Sequence, residues 1–439
     1  MNHHLRGEHA LASFALGLAF SISVAACGTA NEPSTGASGS AGVGAVGGGS
    51  GGSGGIAGNN GISGGGIGGS SAGSSAAGTG NGGGGASSVA GSAGSGGAGG
   101  TGGPTTPGDC TPPVDVDAPL EKLSLTGCMS PTDTTKFADR VVPYEVNSPL
   151  WSDSADKQRG FVLPPGKTIH VKDCTATPTE CLDSADTGKW VFPVGTVMLK
   201  NFLFNDKLVE TRLFVRHDEQ TWVGYSYQWD ETQTDATVIP DQRRRVMFDT
   251  GAGMVSWTYP NRTDCMKCHN AAGGGTLGPE TRQLNRMVGN ANQIDLFDAK
   301  NLFDKPPTKP YQEALVTPLV TAPADDAAVE KQARSYMHAN CAFCHRPDDG
   351  DLGMVNIDLR LDRTLKQTNL CNADPVKGDQ GVPTAKLLTP GDPSQSITWL
   401  RVNAAEDEGR MPQIGTYQVH TAGVKLLGDW ITSIKTCPQ

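Results

Sequence analysis

Cys341-Ala342-Phe343-Cys344-His345 is the stretch from which the chain is read, and Met411-Pro412 follows it about seventy residues on. Two thiols and an imidazole within five residues have the make-up of a c-type haem attachment site. The thiols form thioethers to the macrocycle, the histidine coordinates iron, and a methionine thioether closes the other side. A second pentad, Cys265-Met266-Lys267-Cys268-His269, lies upstream.

Two covalently bound haems are therefore expected. Cys265 and Cys268 hold the first, with His269 axial. Cys341 and Cys344 hold the second, between His345 and Met411, with His420 the rival to Met411. The distal ligand of the first haem stays open among Met198, His217 and Met287, with Met247, Met254 and His170 also in reach. An unfilled sixth position would leave that iron open to peroxide or another small molecule. Zinc normally wants a second Cys or His pair at short spacing, which neither pentad has. A thioredoxin-like site wants the cysteine pair to open the helix of a βαβ unit, and that pattern is missing.

Working outward, the 439 residues divide by texture. Residues 1–26 read as an export signal: His3, His4 and Arg6 precede an apolar run over 10–24 that is too short for a membrane span. Val24-Ala25-Ala26-Cys27 resembles a lipoprotein box, so lipid on Cys27 would anchor the chain; the same resemblance implies the outer membrane, since Gly28 stands where an acidic residue would mark inner-membrane retention. Residues 27–109 then form a Gly/Ser-rich tether. Glycine fills 24 of the 50 positions from 51 to 100, a composition that cannot repay the entropy of ordering. As a coil of about 80 residues it would span roughly 50 Å.

Lysine and arginine total 35 against 45 acidic residues, a net charge of -10, with no basic block, which argues against a nucleic-acid partner. Of eleven cysteines, lipid and haem would take five, leaving Cys110, Cys128, Cys174, Cys181, Cys371 and Cys437. An exported protein can pair these six, and the short turn-rich loop favours Cys174 with Cys181.

Residues 110–248 are expected to form an antiparallel β-rich domain. Short strands are read near 160–163, 168–171, 190–192 and 196–204, and Asn205-Asp206 turns the chain into 208–217. There Val209, Thr211, Leu213 and Val215 alternate with Glu210, Arg212, Phe214 and Arg216. Residues 222–229 give another strand. Trp151, Trp190, Trp222 and Trp229 suit either an aromatic core or a sugar cleft. Residues 249–322 hold the first pentad and short helices near 281–287 and 291–302, before a proline-punctuated boundary. Residues 323–439 have the order of a small helical cytochrome c-like domain. Asp325-Asp326 caps a helix running to Asn340, a second contains Ile397, Trp399 and Leu400, and a third spans about 421–434. The fold class expected is multidomain, β-rich first and mainly α-helical afterwards.

From about Leu123 to Ile434 the chain resembles a family of bacterial exported dihaem c-type cytochromes. The matching stretches are Val142-Pro143-Tyr144-Glu145-Val146-Asn147-Ser148-Pro149-Leu150-Trp151-Ser152-Asp153, Phe192-Pro193-Val194-Gly195-Thr196, Glu210-Thr211-Arg212-Leu213 and Gly224-Tyr225-Ser226-Tyr227-Gln228-Trp229. Tyr259-Pro260, Gln283-Leu284-Asn285-Arg286 and Ala333-Arg334-Ser335-Tyr336, leading to the second pentad, continue it. The resemblance implies an exported haem protein without fixing a substrate.

Three readings follow. The leading one is a dihaem electron carrier at the outer membrane or periplasm, exchanging electrons with a redox protein donor or acceptor, and so a carrier more than a substrate-turning enzyme. The second is a dihaem peroxidase-like or other haem oxidoreductase with an open first haem. The third is a surface binding module with structural haems.

Overall fold

The computed structural model describes residues 108–439 apart from 251–252, 272, 317–322, 348–355 and 407. Cys27, the signal-like segment and the Gly/Ser run lie outside the described residues. The chain is a mixed α/β fold in which strands, spread over 142–292, largely precede the helices, spread over 262–433.

Six antiparallel strands form the main sheet: β1 (Val142–Pro143), β2 (Asp156–Val162), β5 (Val197–Phe204), β6 (Lys207–Arg216), β7 (Trp222–Trp229) and β8 (Ala236–Val238), in the spatial order β1-β2-β5-β6-β7-β8. A small ladder, β3 (His170–Val171) with β4 (Trp190–Val191), encloses the Cys174–Cys181 disulfide. Asn205 and Asp206, with φ of 48° and 62°, make the left-handed two-residue turn that a tight hairpin between β5 and β6 needs.

Alternation along β6 reads as one buried and one solvent face, yet almost every residue of β6 is buried. One face carries Leu199, Leu213 and Tyr225 side by side and packs on Leu123 and the Cys110–Cys128 disulfide. The other face carries Phe161, Met198 and Phe214 in register, beside an aromatic cluster of Trp190, Phe192, Phe297 and Phe303. Trp190 and Phe303 meet edge-on with centroids 5.0 Å apart, a geometry that adds about 0.5–1.5 kcal/mol beyond area burial.

A hairpin that the sequence reading passes over, β9 (Arg244–Asp249) with β10 (Met254–Tyr259), folds across the sheet and buries Trp257 and Tyr259 against Phe202 and Val209. It leads into α1 (Arg262–Cys268), whose N-cap Asn261 and Asp264 form a reciprocal capping box. Next come α2 (Thr281–Leu284), a two-residue hairpin of β11 (Met287–Val288) and β12 (Ala291–Asn292), and α3 (Gln293–Asp298). The two helices expected there are thus shorter than read, and a hairpin separates them.

The C-terminal part consists of α4 (Asp326–Asn340), α5 (Ile397–Asn403) and α6 (Thr421–Ser433). The Asp325 carboxylate accepts from the Ala328 N–H and caps α4. Tyr336 and Met337 of α4 pack with Leu426, Leu427, Trp430 and Ile431 of α6. The Cys371–Cys437 disulfide ties the final residues to this core.

Side chains stitch the β-rich and helical parts together. Ser148 Oγ donates to the Ser335 carbonyl, the Trp151 N–H to Asn340 Oδ1, and the Tyr417 and Gln418 N–H groups to the Asp153 carboxylate.

Candidate functional site

The residues that face the helical part come from alternate positions of three strands, and their register sets the chemistry. Arg159 on β2 lies directly opposite Lys200 on β5, and Lys200 lies directly opposite Arg212 on β6. Three cations therefore stand in a row across the sheet, where like charges directly opposite each other destabilise. Glu145 acts on Arg159, and a buried carboxylate answers the other two. Glu210, fully buried, accepts from Arg212 Nε and Nη2 at 3.0 and 2.8 Å and from Trp257 Nε1 at 3.1 Å. Enclosure, then the charges of Arg159, Lys157 and Arg212, push the Lys200 ammonium well below its ordinary range.

The row opens onto a cleft enclosing about 1950 Å³ of empty space, part of it continuous with solvent. Met198, Phe202 and Phe214 supply apolar floor, and Cys265, Cys268 and His269 enter from α1. Ala342 and Phe343 enter from the second pentad, and Arg346 from the position just after it. Across the cleft Asp186 meets Lys189 at 2.6 Å and Arg346 at 2.9 Å, and His338, whose Nδ1 accepts from the Leu361 N–H, holds Glu280 through Nε2 at 2.8 Å.

Both pentads thus border one space, and local geometry defines how. A Cβ at Gly224 on β7 would lie 3.0 Å from Cys265 Sγ, so the glycine permits α1 to press against the sheet. His269 Nδ1 is 2.6 Å from the Gly275 carbonyl, and its ring lies 4.0 Å from that of Phe214. Burial pushes this imidazole down to about 3, so it is neutral. Cys268 and Cys344, the second thiols of the two pentads, hydrogen-bond to each other, which with burial pushes the Cys268 thiol far up. Burial raises Cys265 as well and lifts Cys341 to about 12, so all three stay protonated thiols at neutral pH.

The haem reading is corrected by these observations. Among the described residues no three His, Cys, Asp or Glu side chains form a group able to hold a metal ion. The atoms meant for two separate macrocycles are otherwise engaged: Cys268 pairs across to Cys344, and Phe214 packs at the His269 ring. The two covalent haems, the haem roles of Cys265, Cys268, His269, Cys341, Cys344, His345 and Met411, and electron carriage by iron are accordingly withdrawn. So are the peroxidase-like and structural-haem alternatives. The cysteines that do bond covalently are the other six, as Cys110–Cys128, Cys174–Cys181 and Cys371–Cys437.

The axial candidates scatter. Met198 lines the cleft, Met287 is 60% exposed on β11, and His217 Nε2 bonds to the Tyr225 hydroxyl at 2.8 Å. Met411 sits in a loop with its N–H on the Arg401 carbonyl. His345 Nδ1 is buried without a hydrogen-bond partner. His420 stacks on Trp151 at 3.9 Å, so that tryptophan joins the two parts, whereas Trp190 and Trp229 are core.

No protein-family model matches the chain, nor does any curated protein or solved structure. The resemblance to dihaem cytochromes is therefore not upheld, and the fold and site stand on their own physical features. The feature that sequence reasoning missed is the cation row. Its signal was present in Val197-Met198-Leu199-Lys200-Asn201-Phe202, where Lys200 and Asn201 interrupt an apolar strand.

Proposed function

We propose that the chain is an exported ligand-binding protein, not a catalyst, whose cleft takes a large, mainly apolar molecule bearing a carboxylate or other anionic group. The observation that carries this reading is the row Arg159, Lys200 and Arg212 in a cleft otherwise floored by Met198, Phe202 and Phe214. Like charges held in register and partly desolvated cost stability, and an incoming anion offsets that cost while the apolar floor buries its body. Raised thiol pKa values support binding over nucleophilic chemistry.

Cys27 after an apolar run supports a lipid-anchored protein at the outer membrane, with residues 110–248 as its β-rich part and 323–439 as its helical part. The test is fluorescence titration of the full chain with an apolar anion, 1-anilinonaphthalene-8-sulfonate, against the neutral N-phenyl-1-naphthylamine. The anion is expected to bind at least 10-fold more tightly, the value of about one charge-assisted hydrogen bond. Equal affinities for the two probes would refute the proposal.

A further inference from the structure

Beside the cleft mouth, β9 and β10 meet the loop that carries Glu406 and residues 408–417, and a polar cavity of about 850 Å³, open to solvent, adjoins the cleft there and shares Arg243, Thr258, Pro412, Thr416 and Tyr417 with its lining. Its lining includes three guanidinium groups, Arg243, Arg245 and Arg410, with the hydroxyls of Thr258 and Thr416. Arg410 is buried at 5% exposure, and its Nη2 donates to Thr416 Oγ1 at 2.7 Å and to the Gln418 carbonyl at 2.6 Å. Its Nη1 has no hydrogen-bond partner, and neither has the buried Thr258 Oγ1 on the facing strand.

The two neighbouring arginines are held in fixed planes. Arg243 presents Nε and Nη2 to the Asp264 carboxylate, while Arg245 pairs with Glu406 and lies 3.8 Å over the Tyr417 ring. Asp153, which accepts from the Tyr417 and Gln418 N–H groups, and Glu406 in the cavity lining are the carboxylates that temper Arg410 and Arg245.

We infer that this cavity, which adjoins the cleft and differs from it in Arg245 and Arg410, is a second binding site for a small tetrahedral oxyanion of the phosphate class. A planar carboxylate is satisfied by one guanidinium fork. Donors set around a cavity on two strands and a loop, with two buried polar atoms still unmatched, suit an anion with four oxygens pointing in different directions. Fixed guanidinium planes also lower the ordering cost of binding.

The experiment is isothermal titration of the full chain with inorganic phosphate at constant ionic strength. Wild type is expected to bind one equivalent saturably, Arg410→Gln to bind at least 10-fold more weakly, and the near-isosteric Thr258→Val several-fold more weakly. Each variant's far-UV circular dichroism and cooperative thermal unfolding report that it has folded. Should Arg410→Gln fail to fold, Thr258→Val decides. Methyl phosphate binding as tightly as phosphate would make the natural ligand a phosphate ester, and binding of phosphate alone would make it the free anion. Absence of saturable phosphate binding, or equal affinity in folded wild type and variants, would overturn the inference. Lys200→Met is expected to leave phosphate binding unchanged, so failure of the cleft reading and failure of this one are told apart.

Discussion

Replacing Lys200 by methionine should move stability and ligand affinity in opposite directions. Lys200 faces Arg159 on one side and Arg212 on the other at direct cross-strand positions. Each like-charged pair costs about 0.2–1 kcal/mol. Desolvation of the ammonium adds to this, and the loss of its contact over the Phe202 ring, 5.1 Å from the centroid, subtracts about 0.5–2 kcal/mol. Methionine keeps the stem volume and sheds the charge. The ligand-free protein should therefore gain about 1–3 kcal/mol, in line with the effect of replacing buried charges by well-packed apolar groups.

At about 2–4 °C per kcal/mol, the melting temperature should rise by several degrees. The pH dependence carries the signature. Because the folded pKa of Lys200 is depressed, the unfolded chain holds the proton more firmly. The penalty is complete below the folded pKa and fades as pH climbs to the unfolded value near 10.5. Lys200→Met should lose that part of the alkaline rise and retain the part from Lys157, whose pKa is pushed down to about 8 chiefly by burial. Differential scanning calorimetry from pH 6 to 10, with naphthalene-sulfonate titration alongside, measures both quantities. A lower melting temperature together with unchanged anion affinity would refute the reasoning about the cation row.

Alkylation of the denatured, unreduced protein should label Cys265, Cys268, Cys341 and Cys344 and leave the six disulfide cysteines bare; peptide mass mapping reads this, and any other adduct on those four would contradict their thiol state. Removing the Cys371–Cys437 bridge, which closes 66 residues, should cost about 4 kcal/mol against about 2 kcal/mol for Cys174–Cys181, which closes 7, as measured by urea unfolding of the serine pairs. His170 lies 2.8 Å from Asp304 and 2.7 Å from Glu180, and these carboxylates raise its pKa against the pull of desolvation. Its contribution is thus complete below the unfolded value near 6.5 and lost as pH rises through the folded one. His170→Asn should destabilise at pH 5.5 and be neutral at pH 8.5, by under about 1 kcal/mol given its 45% exposure.

Strands β5 to β7 were legible because apolar alternation and the Asn205-Asp206 turn are local signals, and α4 and α6 because caps and helical periodicity are local too. What escaped reading depends on contacts far apart in the chain. Strand β9 lacks the apolar alternation of β5 to β7 and keeps its side chains exposed or half-buried, though Trp257 and Tyr259 of its partner strand are core. Glu210 and Arg212 read as an outward face, yet a second layer covers them. The Cys174–Cys181 bridge closes a seven-residue loop and could be named; Cys110–Cys128 and Cys371–Cys437 are joined only once the fold brings them together. The pentads show residue type and spacing, whereas the pairing of Cys268 with Cys344 lies between them and is set by tertiary structure.

The charge ladder on the sheet has a consequence for assembly of the chain. While the sheet stands alone in water, solvent screens its three cations at little cost. Repulsion would sharpen as Ala342, Phe343 and Arg346 close the cleft onto which the cations open. Docking of the helical half is thus the step working against charge, and an anionic guest present at a hundred times its dissociation constant would favour the closed state by about 2.7 kcal/mol. Under the proposed function, guest supply would act as a chaperone-like input, favouring chains that mature where the guest is plentiful.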